Sequence, residues 1–159
     1  DAAEHFAELA LDHGLELGQA DAFTLYSAQL ASVRDHQGRL HELVPLMEQA
    51  AQYSPTLVAY RAALAYAHSV SDDPLPAVGL LDEAVSSGLA APFDVLWTTA
   101  HSSWVGAAVR VGHHGAAELA REHLAPFHWQ LVTTLATAQP VVAYYLGRLD
   151  HFFGRHDEA

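Results

Sequence analysis

The sequence predicts an all-α protein, a right-handed array of helical hairpins with about seven to eight helices. Three observations predict this fold. One apolar pattern occurs twice at a spacing of 34 residues, with Leu30-Ala31 in the first copy and Leu64-Ala65 in the second. Later in each copy apolar side chains recur at i, i+4 and i+7, which places them on one face of a helix. These are Leu43, Met47 and Ala50, then Ala77, Leu81 and Ala84. Finally, hydrophobic residues make up 51% of the chain, enough for a sizeable core.

The spacing of 34 residues is the period of the tetratricopeptide repeat, a helix-turn-helix unit. The small residues of the pattern allow neighbouring helices to approach closely. A third, incomplete copy starts at Leu146-Gly147 and continues through Gly154, Glu158 and Ala159. We therefore predict one tetratricopeptide-like α-solenoid domain over residues 1–159, a fragment of a longer chain that is truncated in its last hairpin.

Helix starts and stops divide the chain into elements. Gly14 is expected to interrupt the first helix, and Asp21 and Asp94 to cap later ones through their carboxylates. Pro45 falls within the first two turns of its helix, where the penalty of an interior proline is smaller. Residues 128–139, which are rich in threonine, are interpreted as a long ordered connection with a helical turn. The predicted helices cover residues 1–17, 22–37, 39–53, 56–69, 76–87, 94–111, 115–124 and 140–153.

Composition excludes several classes of function. The formal net charge is −12, which argues against a nucleic-acid partner because phosphate binding requires a concentrated positive surface. The chain has no cysteine, so disulfides, iron-sulfur clusters and thiol catalysis are excluded. No apolar run reaches the roughly 18 to 20 residues that span a bilayer, and no secretory signal opens the chain. We expect a cytoplasmic protein that does not contact membranes.

Several segments occur in a characteristic order along the chain, namely Gly18-Gln19-Ala20-Asp21-Ala22-Phe23, Gly38-Arg39-Leu40, Tyr60-Arg61-Ala62-Ala63-Leu64, Leu96-Trp97 and Tyr145-Leu146-Gly147. Their arrangement resembles the C-terminal tetratricopeptide-like region of large actinobacterial signalling proteins, and the resemblance covers most of the chain. It implies a parent protein with an ATPase module joined to a class III nucleotide cyclase domain or a LuxR-type helix-turn-helix. The chain has no Walker-type loop and no lysine, so catalysis and DNA binding would belong to other domains.

The chain itself is not expected to be an enzyme, and we predict no cofactor. Gly-x-Ser-x-Gly is absent, and Ser102-Ser103 beside His101 are helical neighbours whose side chains point apart. Twelve histidines are the one compositional excess. Paired imidazoles can hold a transition metal, which makes His113 and His114 the weak metal candidates of an alternative function, a metal or ligand sensor.

The first helices of a tetratricopeptide stack line its concave groove, and aromatic and arginine side chains are preferred interface anchors. The predicted function is therefore a non-catalytic interaction or regulatory module of a multidomain regulator. Its partner would be a protein or peptide, favoured to be basic by the negative charge, or another domain of the same chain. For Trp97, Trp104 and Tyr145, a position in the core between helices is favoured over the groove. The candidate groove residues are Tyr26, Arg34, Tyr60, Arg61, His68, Trp97, His101, Trp104, Tyr144 and Arg148.

A second alternative is self-association. Repeat arrays need a polar cap at each end, and an incomplete last hairpin would leave apolar side chains partly uncovered. These are Leu146, Leu149, Phe152 and Phe153. Stacking of two such ends in a homodimer would cover them.

Overall fold

Eight α-helices account for most of the computed structural model, which describes residues 2–134 and 136–155. The all-α class and the number of helices are therefore confirmed, with a short β-hairpin as an addition. Two 3-10 turns lie at Leu40–Leu43 and Ala125–Phe127. The helices are α1 (Ala2–Glu16), α2 (Ala22–His36), α3 (Val44–Tyr53), α4 (Val58–Ser69), α5 (Leu75–Ser86), α6 (Trp97–Val111), α7 (His114–Leu124) and α8 (Val142–Phe152), and the strands are β1 (Leu131–Thr133) and β2 (Ala138–Val141).

Most helices pack on their neighbours in the chain. Helix α1 packs on α2, and α3 on α4. Helices α4 and α6 form the centre, since α4 also contacts α5 and α6, while α6 also contacts α7 and α8. The core follows this centre, and its largest fully buried side chains are Trp104, Leu81, Leu89, Leu124, Leu149, His101, Val105, Val132 and Val142.

Two glycines permit close approach between helices. A Cβ built on Gly106 of α6 would lie 2.8 Å from Cδ2 of the Tyr66 ring on α4. At Gly14 a Cβ would lie 2.7 Å from the Cβ of Ala22, so this glycine allows α1 to pack against the start of α2. The prediction that Gly14 interrupts the first helix is wrong, because α1 continues to Glu16.

The starts of three helices differ from the prediction. Pro45 lies in the first turn of α3, since the preceding segment forms a 3-10 turn, and there the proline costs no helical hydrogen bond. Asp21 occupies the N-cap position of α2, but its carboxylate accepts no capping hydrogen bond. The Asp94 carboxylate accepts from the Leu96 N–H at 2.9 Å, so it closes a turn just before α6 rather than capping from the N-cap position itself.

Residues 128–139 were predicted to form a long ordered connection with a helical turn, and this prediction is wrong because two short strands form there. Strands β1 and β2 pair antiparallel, and Val132 is buried while Leu131 is exposed. The last helix begins at Val142, not at Pro140, because β2 occupies residues 138–141. The first amides of α8 donate instead to the strand that leads into the hairpin, from Val142 to the Gln130 carbonyl at 2.8 Å.

The C-terminal apolar side chains are covered to different extents. Leu149 is fully buried, whereas Leu146, Phe152 and Phe153 pack against the core and are only partly buried. Partial exposure is therefore found for three of the four side chains, and self-association stays a prediction. Glu158 and Ala159, which complete the third copy of the pattern, lie outside the described residues.

None of the helices in residues 2–134 and 136–155 has the length and apolar character needed to cross a bilayer.

Candidate binding cleft

A cleft of about 440 Å³ runs between the first helices and the C-terminal part of the chain. Its size is within the range of roughly 300 to 1,000 Å³ that is typical of ligand sites. Helices α2, α3, α4, α6 and α8 all contribute side chains, and the β-hairpin contributes three. The cleft therefore brings together residues from both ends of the described chain.

The part of the lining that comes from the 3-10 turn and α3 is apolar. Leu43, Met47 and Ala50, which form the helical face predicted for the first repeat copy, all line the cleft and are half-buried. The same face in the second copy is buried in the core, because α6 and α7 pack on α5. Nothing in the described chain packs on α3 in the same way, so the face remains available to a ligand.

The part of the lining that comes from α4, α6 and α8 is polar. Burial raises the pKa of the Tyr145 hydroxyl to about 12, although a hydrogen bond with Ser102 opposes the shift. The pKa of the Tyr66 hydroxyl is raised as well, mainly by burial and then by the Asp35 carboxylate, to which it donates at 3.1 Å. Both phenols are therefore neutral hydrogen-bonding groups at physiological pH.

The β-hairpin joins the two ends of the cleft. The Gln139 side-chain amide donates to the Ser32 hydroxyl of α2 at 2.9 Å, and the Thr137 hydroxyl is hydrogen-bonded to the same Ser32 at 2.9 Å. On the other side of the hairpin, the Thr99 hydroxyl of α6 donates to the Thr133 carbonyl at 2.5 Å. We call this set of hydrogen bonds the hairpin bridge. It links α2 to a segment more than 100 residues later and closes one side of the cleft.

No protein-family model, curated protein or solved structure matches this chain. The function must therefore be argued from the cleft itself.

Three of the ten predicted groove residues line the cleft, namely Tyr60, Tyr144 and Arg148. Tyr26 lies on α2, half-buried near Phe23, and does not line it. Trp104 is only 2% exposed and belongs to the core, because its face of α6 is turned to the helices packed around it.

Charged residues of the predicted set are paired with carboxylates outside the cleft. The Arg34 guanidinium forms ion pairs with Glu4 at 3.1 Å and Glu42 at 2.9 Å. Arg61 pairs with Glu83, and the His68 ring lies 3.6 Å from the Glu48 carboxylate. These side chains fix helices to one another, so they are not available as groove residues.

Trp97 and His101 form an aromatic cluster on another face of α6. Their ring centroids lie 4.1 Å apart, and Phe127 packs edge-on against Trp97. His101 Nδ1 is 2.9 Å from the Trp97 carbonyl, and its Nε2 is 2.9 Å from Nδ1 of His123. Because the carbonyl can only accept, Nδ1 of His101 carries the proton and Nε2 accepts one from His123. Burial lowers the pKa of His101 to about 4.

His113 and His114 do not face a common site. Nδ1 of His113 accepts the Ala116 N–H at 3.1 Å and so caps α7, while its Nε2 donates to Asp82 at 3.0 Å. The His114 ring stacks near Phe152. Across residues 2–134 and 136–155, no group of three or more His, Cys, Asp or Glu side chains is arranged to hold a metal ion.

The cleft residues outside the predicted groove set come from all the lining elements, with the largest share from α2 and others from α3 and the hairpin. Met47 carried a signal, since it belongs to the repeated apolar face. Gln139 and Thr137 had only a weak sequence signal. The β-branched threonines of their segment favour a strand over a helix.

Proposed function

We propose that the protein is a non-catalytic interaction module whose cleft receives a short segment of a partner protein. We further propose that its helices form a tetratricopeptide-like array, and that the module serves a cytoplasmic multidomain regulator. The observation that carries the proposal is that α2, α4, α6 and α8, every second helix of the chain, line one cleft, to which α3 adds an apolar face. In a helical-hairpin array the first helices line the groove.

The lining favours an apolar segment. Phe23 and Tyr144 are about half exposed at the cleft, where they offer large side chains to a partner at a small entropic cost. The net charge of −12 favours a partner whose flanking residues are basic, because complementary charge accelerates encounter. We therefore expect the segment to carry apolar residues in its centre and Lys or Arg on either side.

A displayed peptide library tests this proposal. The library holds short apolar segments with either basic or acidic flanks, together with scrambled versions of each. We expect basic-flanked apolar segments to be enriched, and the selected peptide to bind at least about fivefold more weakly to Met47→Gln and to Tyr60→Ala. Tyr53→Ala is the matched control, since Tyr53 is 80% exposed on α3 and does not line the cleft.

Enrichment of acidic-flanked peptides would contradict the expected preference for basic flanks, but not the proposed binding of an apolar segment. No enrichment over scrambled peptides, or binding that the Met47 and Tyr60 substitutions leave unchanged, would overturn the proposed function.

A further inference from the structure

The cleft has a cationic end that the proposed function does not use. Most arginines of the chain are paired: Arg34 and Arg39 with Glu42, Arg61 with Glu83, and Arg121 with Asp150. In contrast, Arg148 forms no ion pair with any carboxylate of residues 2–134 and 136–155. Its guanidinium lies 6.0 Å from the ring centroid of Tyr144, and both residues line the cleft.

The carboxylate content of the lining is low. Asp35 is the one carboxylate among the described residues that line the cleft, and it already accepts a hydrogen bond from the Tyr66 hydroxyl. Arg110 is exposed on α6 and does not line the cleft. Within the part of the chain that the structure describes, Arg148 is thus an unpaired cation at the cleft of a protein that is strongly negative as a whole.

The shape of the cleft favours a compact ligand at this end. Its volume suits a small molecule. The hairpin bridge closes one side of the cleft, so a long peptide could not extend out of the cleft on that side. Apolar residues of the 3-10 turn and α3 line the cleft together with Arg148 of α8, so a ligand that fills the cleft meets both kinds of surface. Leu43 and Met47 would contact an aliphatic chain, while the unpaired Arg148 guanidinium is available to a polar head.

We propose that the cleft binds a small amphiphilic carboxylate, with the carboxylate at Arg148 and the aliphatic chain along the apolar face of α3. A planar guanidinium matches a carboxylate with two parallel hydrogen bonds, and it needs no proton transfer to do so. The proposal goes beyond the proposed function and does not depend on it, because the ligand makes its own contacts. Since ligand and partner segment would share the cleft, they would compete for it.

Straight-chain probes of equal length test the head group. Octanoate, octanol and octylamine are titrated separately into the full chain by calorimetry, below the concentrations at which they form micelles. We expect octanoate to bind about tenfold more tightly than octanol and octylamine to bind most weakly, since a hydrogen-bonded charge pair is worth more than a neutral contact. Decanoate should then bind about fourfold more tightly than octanoate for each added methylene group that is buried.

Variants identify the site. Arg148→Gln should weaken octanoate about tenfold and abolish the preference over octanol. Ala63→Phe, at a half-buried cleft position, should remove octanoate binding by filling the cleft. Arg155→Gln is the matched control, because Arg155 packs on Phe153 and does not line the cleft. Thermal melts show whether each variant is folded.

Three results would overturn this proposal: no binding of octanoate, equal or tighter binding of octylamine, or unchanged octanoate binding by both Arg148→Gln and Ala63→Phe. Tighter binding of octylamine would mean that Asp35 dominates the site. None of these results bears on the peptide selection, so the two proposals fail independently.

Discussion

His101 is a single residue through which the stability of the fold depends on pH. Its side chain is fully buried, and both ring nitrogens have partners that suit the neutral imidazole. Protonating the ring would convert the acceptor Nε2 into a donor that faces the donating Nδ1 of His123. Such a group is stable when buried only while it stays neutral.

We expect this histidine to weaken the fold in acid. Its pKa is about 4 in the folded chain against an ordinary value of 6.5, so the unfolded chain binds the proton first as the pH falls. Stability from this group is therefore complete above about pH 6.5 and is lost as the pH falls toward 4, by roughly 3 kcal/mol in total. Urea unfolding of wild type and His101→Gln between pH 4 and 7 measures the difference in slope. His5→Gln, at an exposed histidine of α1, should keep the wild-type slope. Parallel pH profiles for wild type and His101→Gln would refute the argument.

Trp104 combines a large apolar ring with an unsatisfied group. It is 2% exposed, and its indole N–H has no hydrogen-bond partner. Trp104→Ala should cost about 3 to 5 kcal/mol of unfolding free energy through the cavity that it leaves. Trp104→Phe should cost much less, because removing the unsatisfied donor recovers about 1 to 3 kcal/mol. Chemical denaturation of the three proteins compares these values, and a loss for Trp104→Phe as large as that for Trp104→Ala would contradict the prediction.

At the scale of elements, the hairpin bridge has the clearest consequence for stability. It joins β1 and β2 to both α2 and α6, so it connects parts of the chain that otherwise share few contacts. Its hydrogen bonds are made by uncharged, half-buried side chains, whose net contribution is modest but resistant to salt.

The Ser32 and Gln139 side chains should therefore be energetically coupled. Ser32→Ala and Gln139→Ala are each expected to cost about 1 kcal/mol, and the double variant less than the sum by roughly 0.5 to 1.5 kcal/mol. A double-mutant cycle in urea measures this coupling. Ser86→Ala is the control, since the Ser86 hydroxyl donates only to the carbonyl of Glu83 in its own helix. Additive losses at residues 32 and 139 would show that the bridge is not formed in solution.

The helices could be predicted from the sequence, whereas the β-hairpin could not. Periodicity predicted the helices because each buries one stripe, and Ala77, Leu81 and Ala84 are buried as the repeat pattern indicates. The hairpin was missed because Leu131 to Thr133 is too short for a period of two to stand out. Its threonines predict a weak helix because they are β-branched, but β-branched residues also favour strands.

At the scale of the whole molecule, negative charge and exposed apolar side chains act against each other. The net charge of −12 keeps copies apart at neutral pH. Large apolar residues are nevertheless exposed at several places, among them Phe6 and Leu17 near the first helix and Trp129 before the hairpin. Association should therefore appear when the charge is removed.

We expect light scattering to rise as the pH approaches the calculated isoelectric point of 5.2. Phe6→Ser should reduce this rise, whereas Tyr53→Ser, which removes an exposed aromatic ring from α3, tests whether any aromatic ring has the same effect. Circular dichroism at each pH separates association from unfolding. Scattering that stays constant through the isoelectric point would contradict the prediction.

The candidate site was less predictable than the fold because it depends on how distant helices are arranged in three dimensions. The sequence could place Tyr60, Tyr144 and Arg148 on helices, but the cleft exists only because side chains of α2, α3 and α8 line one common space. Arg34 and Arg61 looked equivalent to Arg148 in sequence, and only the position of Glu42 and Glu83 in three dimensions distinguishes them. Ion pairs with carboxylates from other parts of the chain therefore determine which arginines can contact a ligand.

The hairpin bridge also has a consequence for the order in which the chain takes shape on the ribosome. Helices α1 to α4 can fold from contacts with near neighbours as soon as they emerge. Ser32, however, gains its partners only when residues 137 and 139 have been made, more than 100 residues later. The cleft thus stays open on one side until the hairpin has been made.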